Sequence, residues 1–224
     1  MAPCGYFIMV NGANCQKYHK IKGIEMAKLY FKYGTMNASK SMDLLRTAYN
    51  YEKANTEVIC VIPELETRSK GKIISRALKE KRDATIITKD NKILNTETNF
   101  YTYINHKKSI LNNIVVLCDE SQFFNKDNII MLRKIVDEMN IPIICWGLKN
   151  NFKKELFEGS YNLLIHADVI EEIIAICFKC GTKKTLYNVL LKNGEIQTEG
   201  NEIQIGDTEY ISICSPCYNK MLKK

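Results

Sequence analysis

The sequence holds no run approaching the roughly 18 apolar residues that a membrane-spanning helix needs. Membrane partnership is therefore not expected. The opening residues, Met1 to Val10, carry a short apolar patch without a basic flank or a small-residue cleavage site, so a secretory signal is not expected either. There is no long basic arm, and no interleaving of aromatic and basic side chains of the kind that stacks bases. The formal net charge is +7, yet the basic residues are scattered, with small clusters only at 149–154 and 220–224. They read as a lysine-rich solvated surface, and nucleic acid is not expected as a partner. A disulfide framework is missing too, because nine cysteines is an odd number in a chain without a secretory signal. Together these absences point to the cytoplasm.

What is present is ordinary for a globular protein: 46% hydrophobic and 25% charged residues in 224. The length suits one α/β domain plus a small module. Residues 1–25 show weak periodicity and turn formers such as Asn11-Gly12, which predicts a poorly ordered extension. Residues 26–174 then alternate between apolar strands and helical patterns. Strands are expected at Lys28–Tyr33, Val58–Ile62, Ala84–Thr88, Ile114–Cys118 and Ile141–Trp146. Helices are expected at Lys40–Tyr51, with Leu44, Leu45, Ala48 and Glu52 at helical spacing, and at Asn125–Met139, with Ile129, Leu132, Val136 and Met139 on one stripe. Strands apolar throughout are buried on both faces, and their alternation with helices implies a parallel sheet with right-handed crossovers. Ligands bind such sheets beyond the carboxyl ends of the strands. From about residue 175 the pattern changes to short strands bracketed by cysteines.

Three motifs carry chemistry. The first, Gly34-Thr35-Met36-Asn37-Ala38-Ser39-Lys40-Ser41, lies between a strand and a helix in the layout G-x-x-x-x-G-K-S/T, with Ser39 in place of the second glycine. Amides at a helix N-terminus there would face phosphate oxygens, Lys40 would reach the β- and γ-phosphates, and the Ser41 hydroxyl would ligate Mg²⁺. A non-glycine residue forced into a left-handed conformation at position 39 would cost roughly 1–2 kcal/mol. By itself the stretch also fits an ordinary strand-to-helix turn with a surface lysine. The second motif is Asp119-Glu120 at the end of Ile114–Cys118. It reads either as a solvated strand end or as a divided pair, Asp119 toward the metal and Glu120 toward the acceptor hydroxyl. The third is Cys177-x-x-Cys180 with Cys214-x-x-Cys217, whose four thiolates can close a structural, tetrahedral Zn²⁺ site. A redox dithiol is disfavoured by the second matched pair. Cys60, Cys118 and Cys145 sit inside apolar runs and read as small buried hydrophobes.

In this order, the phosphate loop, acidic pair and cysteine-bracketed tail resemble the type II thymidine kinase family, most closely its bacterial and phage branch. The likeness spans roughly 27–218. It includes Leu29-Tyr30-Phe31, Met36-Asn37-Ala38, Asp119-Glu120-Ser121-Gln122-Phe123-Phe124, Trp146-Gly147-Leu148, Asn151-Phe152, Glu155-Leu156-Phe157, Gly159-Ser160 and Tyr210. The resemblance implies an α/β fold: a parallel-sheet, RecA-like P-loop nucleotide-binding core at 26–174 and a zinc-held lasso at 175–224. It implies Mg-ATP as donor, thymidine as acceptor, a homotetramer, and feedback inhibition by the triphosphate end product. By that likeness Glu120 deprotonates the 5′-hydroxyl. Gly34, Thr35, Met36, Asn37, Ala38, Ser39, Lys40 and Ser41, with Asp119, Glu120, Ser121 and Gln122, would contact ATP and Mg²⁺. Phe123, Leu148 and Phe152 would form the slot for thymine. Gln204, Ile205, Gly206 and Tyr210 would hold the base from the lasso. Two other readings stand beside this one. Ser39 fits a weakened, nucleotide-binding regulator, and the basic charge with paired cysteines fits a zinc-ribbon nucleic-acid binder whose affinity would fall steeply with salt.

Overall fold

The computed structural model describes residues 26–66, 69–75, 80–200 and 209–222. The expected extension at 1–25 lies outside them. In chain order the elements are β1 (Leu29–Tyr33), α1 (Lys40–Lys53), β2 (Glu57–Pro63), β3 (Lys72–Ile74), β4 (Lys81–Asp83), β5 (Thr85–Ile87), α2 (Phe100–Ile110) and β6 (Ile114–Cys118). A 3-10 turn (Ser121–Phe123) and α3 (Lys126–Met139) follow, then β7 (Ile143–Gly147), α4 (Glu158–His166), β8 (Val169–Glu172), β9 (Tyr187–Lys192), β10 (Glu195–Gln197), β11 (Glu209–Ile213) and α5 (Ser215–Leu222).

Six strands form one sheet in the order β5-β2-β6-β7-β1-β8, every pairing parallel. All residues of β6 and β7 are buried, as unbroken apolar runs require. Alternate strand residues feed two cores. On one face Phe31, Val61, Val116, Cys118 and Cys145 pack with Phe100 and Ile104 of α2, Leu163 of α4, and the α3 stripe of Ile129, Leu132, Val136 and Met139. On the other, Cys60, Ile62, Leu117, Ile144 and Trp146 pack with Leu44, Leu45 and Ala48 of α1. Glu52 departs from the expected stripe: it is exposed and pairs with Arg82.

Local chemistry sets the ends. Asn125 caps α3 through a reciprocal box, its side chain accepting from the Asn128 N–H at 2.8 Å while its own N–H donates to Asn128 Oδ1 at 3.2 Å. Asn140, in the left-handed region at φ 53°, closes the same helix. Strand β7 starts at Ile143 rather than Ile141, after Pro142, which has no N–H for a ladder. Helices α2 and α4, the β3–β4 hairpin and edge strand β8 are elements that the sequence reading did not place. Beyond β8, β10-β9-β11 form a small antiparallel sheet whose own core holds Val189, Leu191, Ile211, Ile213 and Tyr218. Among the described residues no helix is long and apolar enough to cross a membrane.

Candidate active site

The central neighbours β6, β7 and β1 end side by side, at Asp119, Gly147 and Gly34. The Gly34 N–H donates to the Gly147 carbonyl at 3.2 Å. A Cβ at Gly34 would lie 2.8 Å from the Ile173 carbonyl oxygen and 2.9 Å from Ala38 Cβ, so this close approach admits only glycine. The loop then turns through Asn37 at φ 62° and Ser39 at φ 60°, both left-handed. Ser39 thus occupies the conformation for which glycine is the usual choice. Its side chain is exposed and makes no capping hydrogen bond. The first helical bond of α1 runs from the Asp43 N–H to the Ser39 carbonyl at 3.0 Å. The preceding amides are the unsatisfied, positive end of the helix, which suits an anion. Lys40 Nζ folds over the loop and donates to the Thr35 carbonyl at 2.8 Å and the Gly34 carbonyl at 3.4 Å. Burial lowers its pKa, while Glu120 and Asp119 pull it back up.

Asp119 is buried where β6 ends. Its Oδ2 accepts the Ser41 hydroxyl at 2.8 Å and its Oδ1 accepts the Glu120 N–H at 2.9 Å. Burial and the neighbouring Glu120 push its pKa up to about 7, against the Ser41 hydrogen bond and Lys40. Glu120 is left-handed at φ 49°. Its Oε2 accepts from Gln122 Nε2 at 2.5 Å, and Gln122 Oε1 accepts the Leu148 N–H at 2.9 Å. The Ser121 hydroxyl donates to the Trp146 carbonyl at 2.8 Å. Gly147 lets these side chains in: a Cβ there would sit 2.7 Å from Ser121 Oγ. Lys40, Ser41, Asp119 and Glu120 are therefore brought together, with Gln122 tying the acidic turn to β7.

The expected aromatic residues divide. Phe152 is buried and meets Tyr210 edge-on, centroids 6.5 Å apart. Phe123 packs edge-on against Phe157 at 5.7 Å, in a small cavity of about 190 Å³ shared with Pro63, Leu65 and Ile87. Gln204, Ile205 and Gly206 lie outside the described residues. A cleft of about 1100 Å³ runs beside the loop, between Met36–Ser39, Met42 and Arg46 on one side and Ile173–Ile176 and Tyr210 on the other. None of Lys40, Asp119 and Glu120 lines it.

Sulfur atoms of Cys177, Cys180, Cys214 and Cys217 lie within 4.8 Å of one another, and Cys180 and Cys214 are 3.9 Å apart. Tetrahedral Zn²⁺ with Zn–S bonds of about 2.3 Å needs sulfurs roughly 3.8 Å apart, so the set fits zinc. Donors already face the sulfurs: the Cys214 N–H reaches Cys177 Sγ and the Thr182 hydroxyl reaches Cys180 Sγ, each at 3.3 Å. The hydrogen bonds from Thr182 and its neighbour hold the Cys180 thiol down to about 5, while the other three sulfurs, Cys214 first, push Cys217 up to about 12. Four crowded thiolates need a cation to coexist. Cys60, Cys118 and Cys145 are buried and unpaired by disulfides, and burial pushes Cys60 up to about 11.

Several residues at the site escaped the sequence reading. Trp146 Nε1–H donates to Asp43 Oδ2 at 3.0 Å, fastening the first turn of α1 to β7. Thr185, Asn188 and Ser212 of the cysteine-held module bond the phosphate loop. Nothing in their spacing signals this, because each is a polar residue in a short strand or turn far along the chain.

The family model described as "Thymidine kinase" matches residues 27–218. A thymidine kinase of Streptococcus pyogenes serotype M3 (strain ATCC BAA-595 / MGAS315) is 41% identical over 194 residues, covering 86% of this chain and 97% of the relative. A thymidine kinase of Listeria monocytogenes serotype 4b (strain F2365) is 40% identical with the same coverage.

Proposed function

The chain belongs to the thymidine kinase family, and from that premise we propose that it transfers the γ-phosphoryl group of ATP to the 5′-hydroxyl of thymidine, giving dTMP and ADP. One observation carries the reading: the Ser41 hydroxyl and the Asp119 carboxylate meet at 2.8 Å beneath Lys40 and beside Glu120. A hydroxyl in the first turn of the helix after the phosphate loop and a carboxylate at a strand end are the donor set by which a phosphate-loop enzyme holds Mg²⁺. Nothing favours the regulator, because Ser39 leaves the loop's form intact, and nothing favours the nucleic-acid binder.

Ser41 and Asp119 would hold Mg²⁺, which when bound neutralises charge on the β- and γ-phosphates. The loop amides of 37–41 and Lys40 bind the phosphates, and Lys40 exchanges its carbonyl contacts for phosphate oxygens. Glu120 accepts the 5′-hydroxyl proton as the P–O bond to thymidine forms and the P–O bond to ADP breaks. Gln122, bonded to both Glu120 and Leu148, keeps that carboxylate aimed. Positioning and fixed charge supply most of the acceleration. Phe123, Leu148 and Phe152 form the thymine slot, and Tyr210, edge-on to Phe152, holds the base. Gln204, Ile205 and Gly206 are assigned to base binding by the family likeness. Zinc on Cys177, Cys180, Cys214 and Cys217 ties the ends of the lasso, a module of residues 175–224 set on a core of 26–174. The enzyme works as a cytoplasmic homotetramer.

The test is transfer of labelled phosphate from Mg-ATP across the deoxynucleosides. Thymidine should be the preferred acceptor, and zinc should be present at one equivalent per chain. ATP binding without product would refute the enzyme.

A further inference from the structure

The cysteine-held module does more than border the site: it grips the phosphate loop. Thr35 Oγ1 and Thr185 Oγ1 are 2.7 Å apart, and Thr185 Oγ1 lies 3.2 Å from the Ala175 carbonyl, to which it donates. The Met36 N–H donates to Asn188 Oδ1 at 2.7 Å. The Met36 carbonyl accepts the Ser212 hydroxyl at 2.8 Å. Asn188 Nδ2 then donates to the Asn150 carbonyl at 3.1 Å. Thr185, Asn188 and Ser212 are all buried. They stand at the start of the module's small sheet, close to the cysteine ligands, with Ser212 two residues before Cys214.

The pattern is selective. Amides that start α1 stay open toward an anion, whereas Met36, upstream of them, is bonded through both its N–H and its carbonyl. Asn188 alone reaches both sides: one end holds the loop, the other holds the segment that leads through Asn151 to Phe152. We propose that Asn188, with Thr185 and Ser212, is a set of positioning residues that locks the phosphate loop in its nucleotide-competent form, and that Asn188 couples the phosphate and nucleoside subsites. The inference rests on the kinase reading of residues 34–41. Removing a buried hydrogen bond of this kind shifts the equilibrium between competent and incompetent loop about tenfold, and apparent affinity falls by up to that factor, in proportion to the competent fraction lost.

The experiment uses the full chain in its zinc-loaded form, with KM for Mg-ATP and for thymidine measured separately. Thr185→Val removes contacts to Thr35 and the Ala175 carbonyl alone, and should raise KM for Mg-ATP several-fold, up to about tenfold, with thymidine KM within twofold. Ser212→Ala should raise KM for Mg-ATP likewise and, because its hydroxyl also lies 3.3 Å from Asn188 Oδ1, thymidine KM by less than Asn188→Ala does. Asn188→Ala should raise both. Zinc content at one equivalent and an unchanged far-UV spectrum identify the variants that fold. If Asn188→Ala loses zinc, the other two still decide. All folded variants retaining wild-type KM values would overturn the proposal, as would a lowered Tm with both KM values unmoved. A wild-type chain that transfers no phosphate would instead refute the kinase reading itself.

Discussion

Replacing Ser39 by glycine should strengthen this protein. Ser39 sits at φ 60°, ψ 28°, where a side chain costs about 1–2 kcal/mol relative to glycine. Its hydroxyl caps nothing and is exposed, so no contact is lost with it. Against that gain stands the greater freedom of glycine in the unfolded chain, roughly 0.5–1 kcal/mol. The net is about 0.5–1 kcal/mol of added stability, or about 1–4 °C in Tm for a chain of this size. Thermal melting of Ser39→Gly, Ser39→Ala and Ser39→Val separates the causes. Alanine keeps the Cβ and should melt within about 1 °C of wild type. Valine, β-branched in a left-handed position, should melt lower. KM for Mg-ATP in the glycine variant should hold or fall. A glycine variant that melts below wild type, or an alanine variant that gains as much as glycine, would refute the strain argument.

Three further outcomes follow from the same geometry. Glu120→Gln should lose about 10²–10⁴-fold in kcat with Tm unchanged, since it removes a base and no packing; wild-type turnover would take Glu120 out of the mechanism. Asp119→Asn should abolish activity yet stabilise the metal-free protein as pH rises. The folded pKa of Asp119 is raised to about 7 from an ordinary carboxylate value, so wild-type stability is lost between about pH 4 and 7, while asparagine loses none. The Tm difference between variant and wild type should therefore widen across that window, and a constant difference would count against the buried-acid assignment. Gly159→Ala should cost about 1–3 kcal/mol in denaturant melts and reduce kcat as well, because its Cβ would sit 2.4 Å from the Ser121 carbonyl oxygen in the turn that carries Gln122.

Much of this was legible from residues alone, for physical reasons that also explain the gaps. Strands β6 and β7 announce themselves because full burial demands unbroken apolar runs. The phosphate loop and Asp119-Glu120 are visible because their chemistry is local in sequence. The paired cysteines are visible because a tetrahedral four-sulfur set such as Cys177, Cys180, Cys214 and Cys217 draws its ligands from closely spaced pairs. Helix α2 was missed because its aromatic and β-branched residues show little helical pattern and only Phe100 and Ile104 are buried. Helix α4 carries Gly159 where a helix prefers other residues, a glycine kept for close approach to the Ser121 turn. Phe123 could be assigned to an apolar slot, but its packing against Phe157 depends on where α4 docks. The bonds from Thr185, Asn188 and Ser212 span 150 to 176 residues to Thr35 and Met36, and no local pattern encodes a contact at that range.

The order of the sheet also has a consequence for biosynthesis. Strand β1 precedes the other described strands in synthesis, yet both its neighbours, β7 and β8, are made more than a hundred residues later. The strand that leads into the loop at 34–41 must therefore wait for its native neighbours until most of the sheet has been synthesised. Long-range parallel closure of this kind is a slow step in folding, so the rate at which β1 is captured by β7 and β8 is expected to limit how fast the sheet matures.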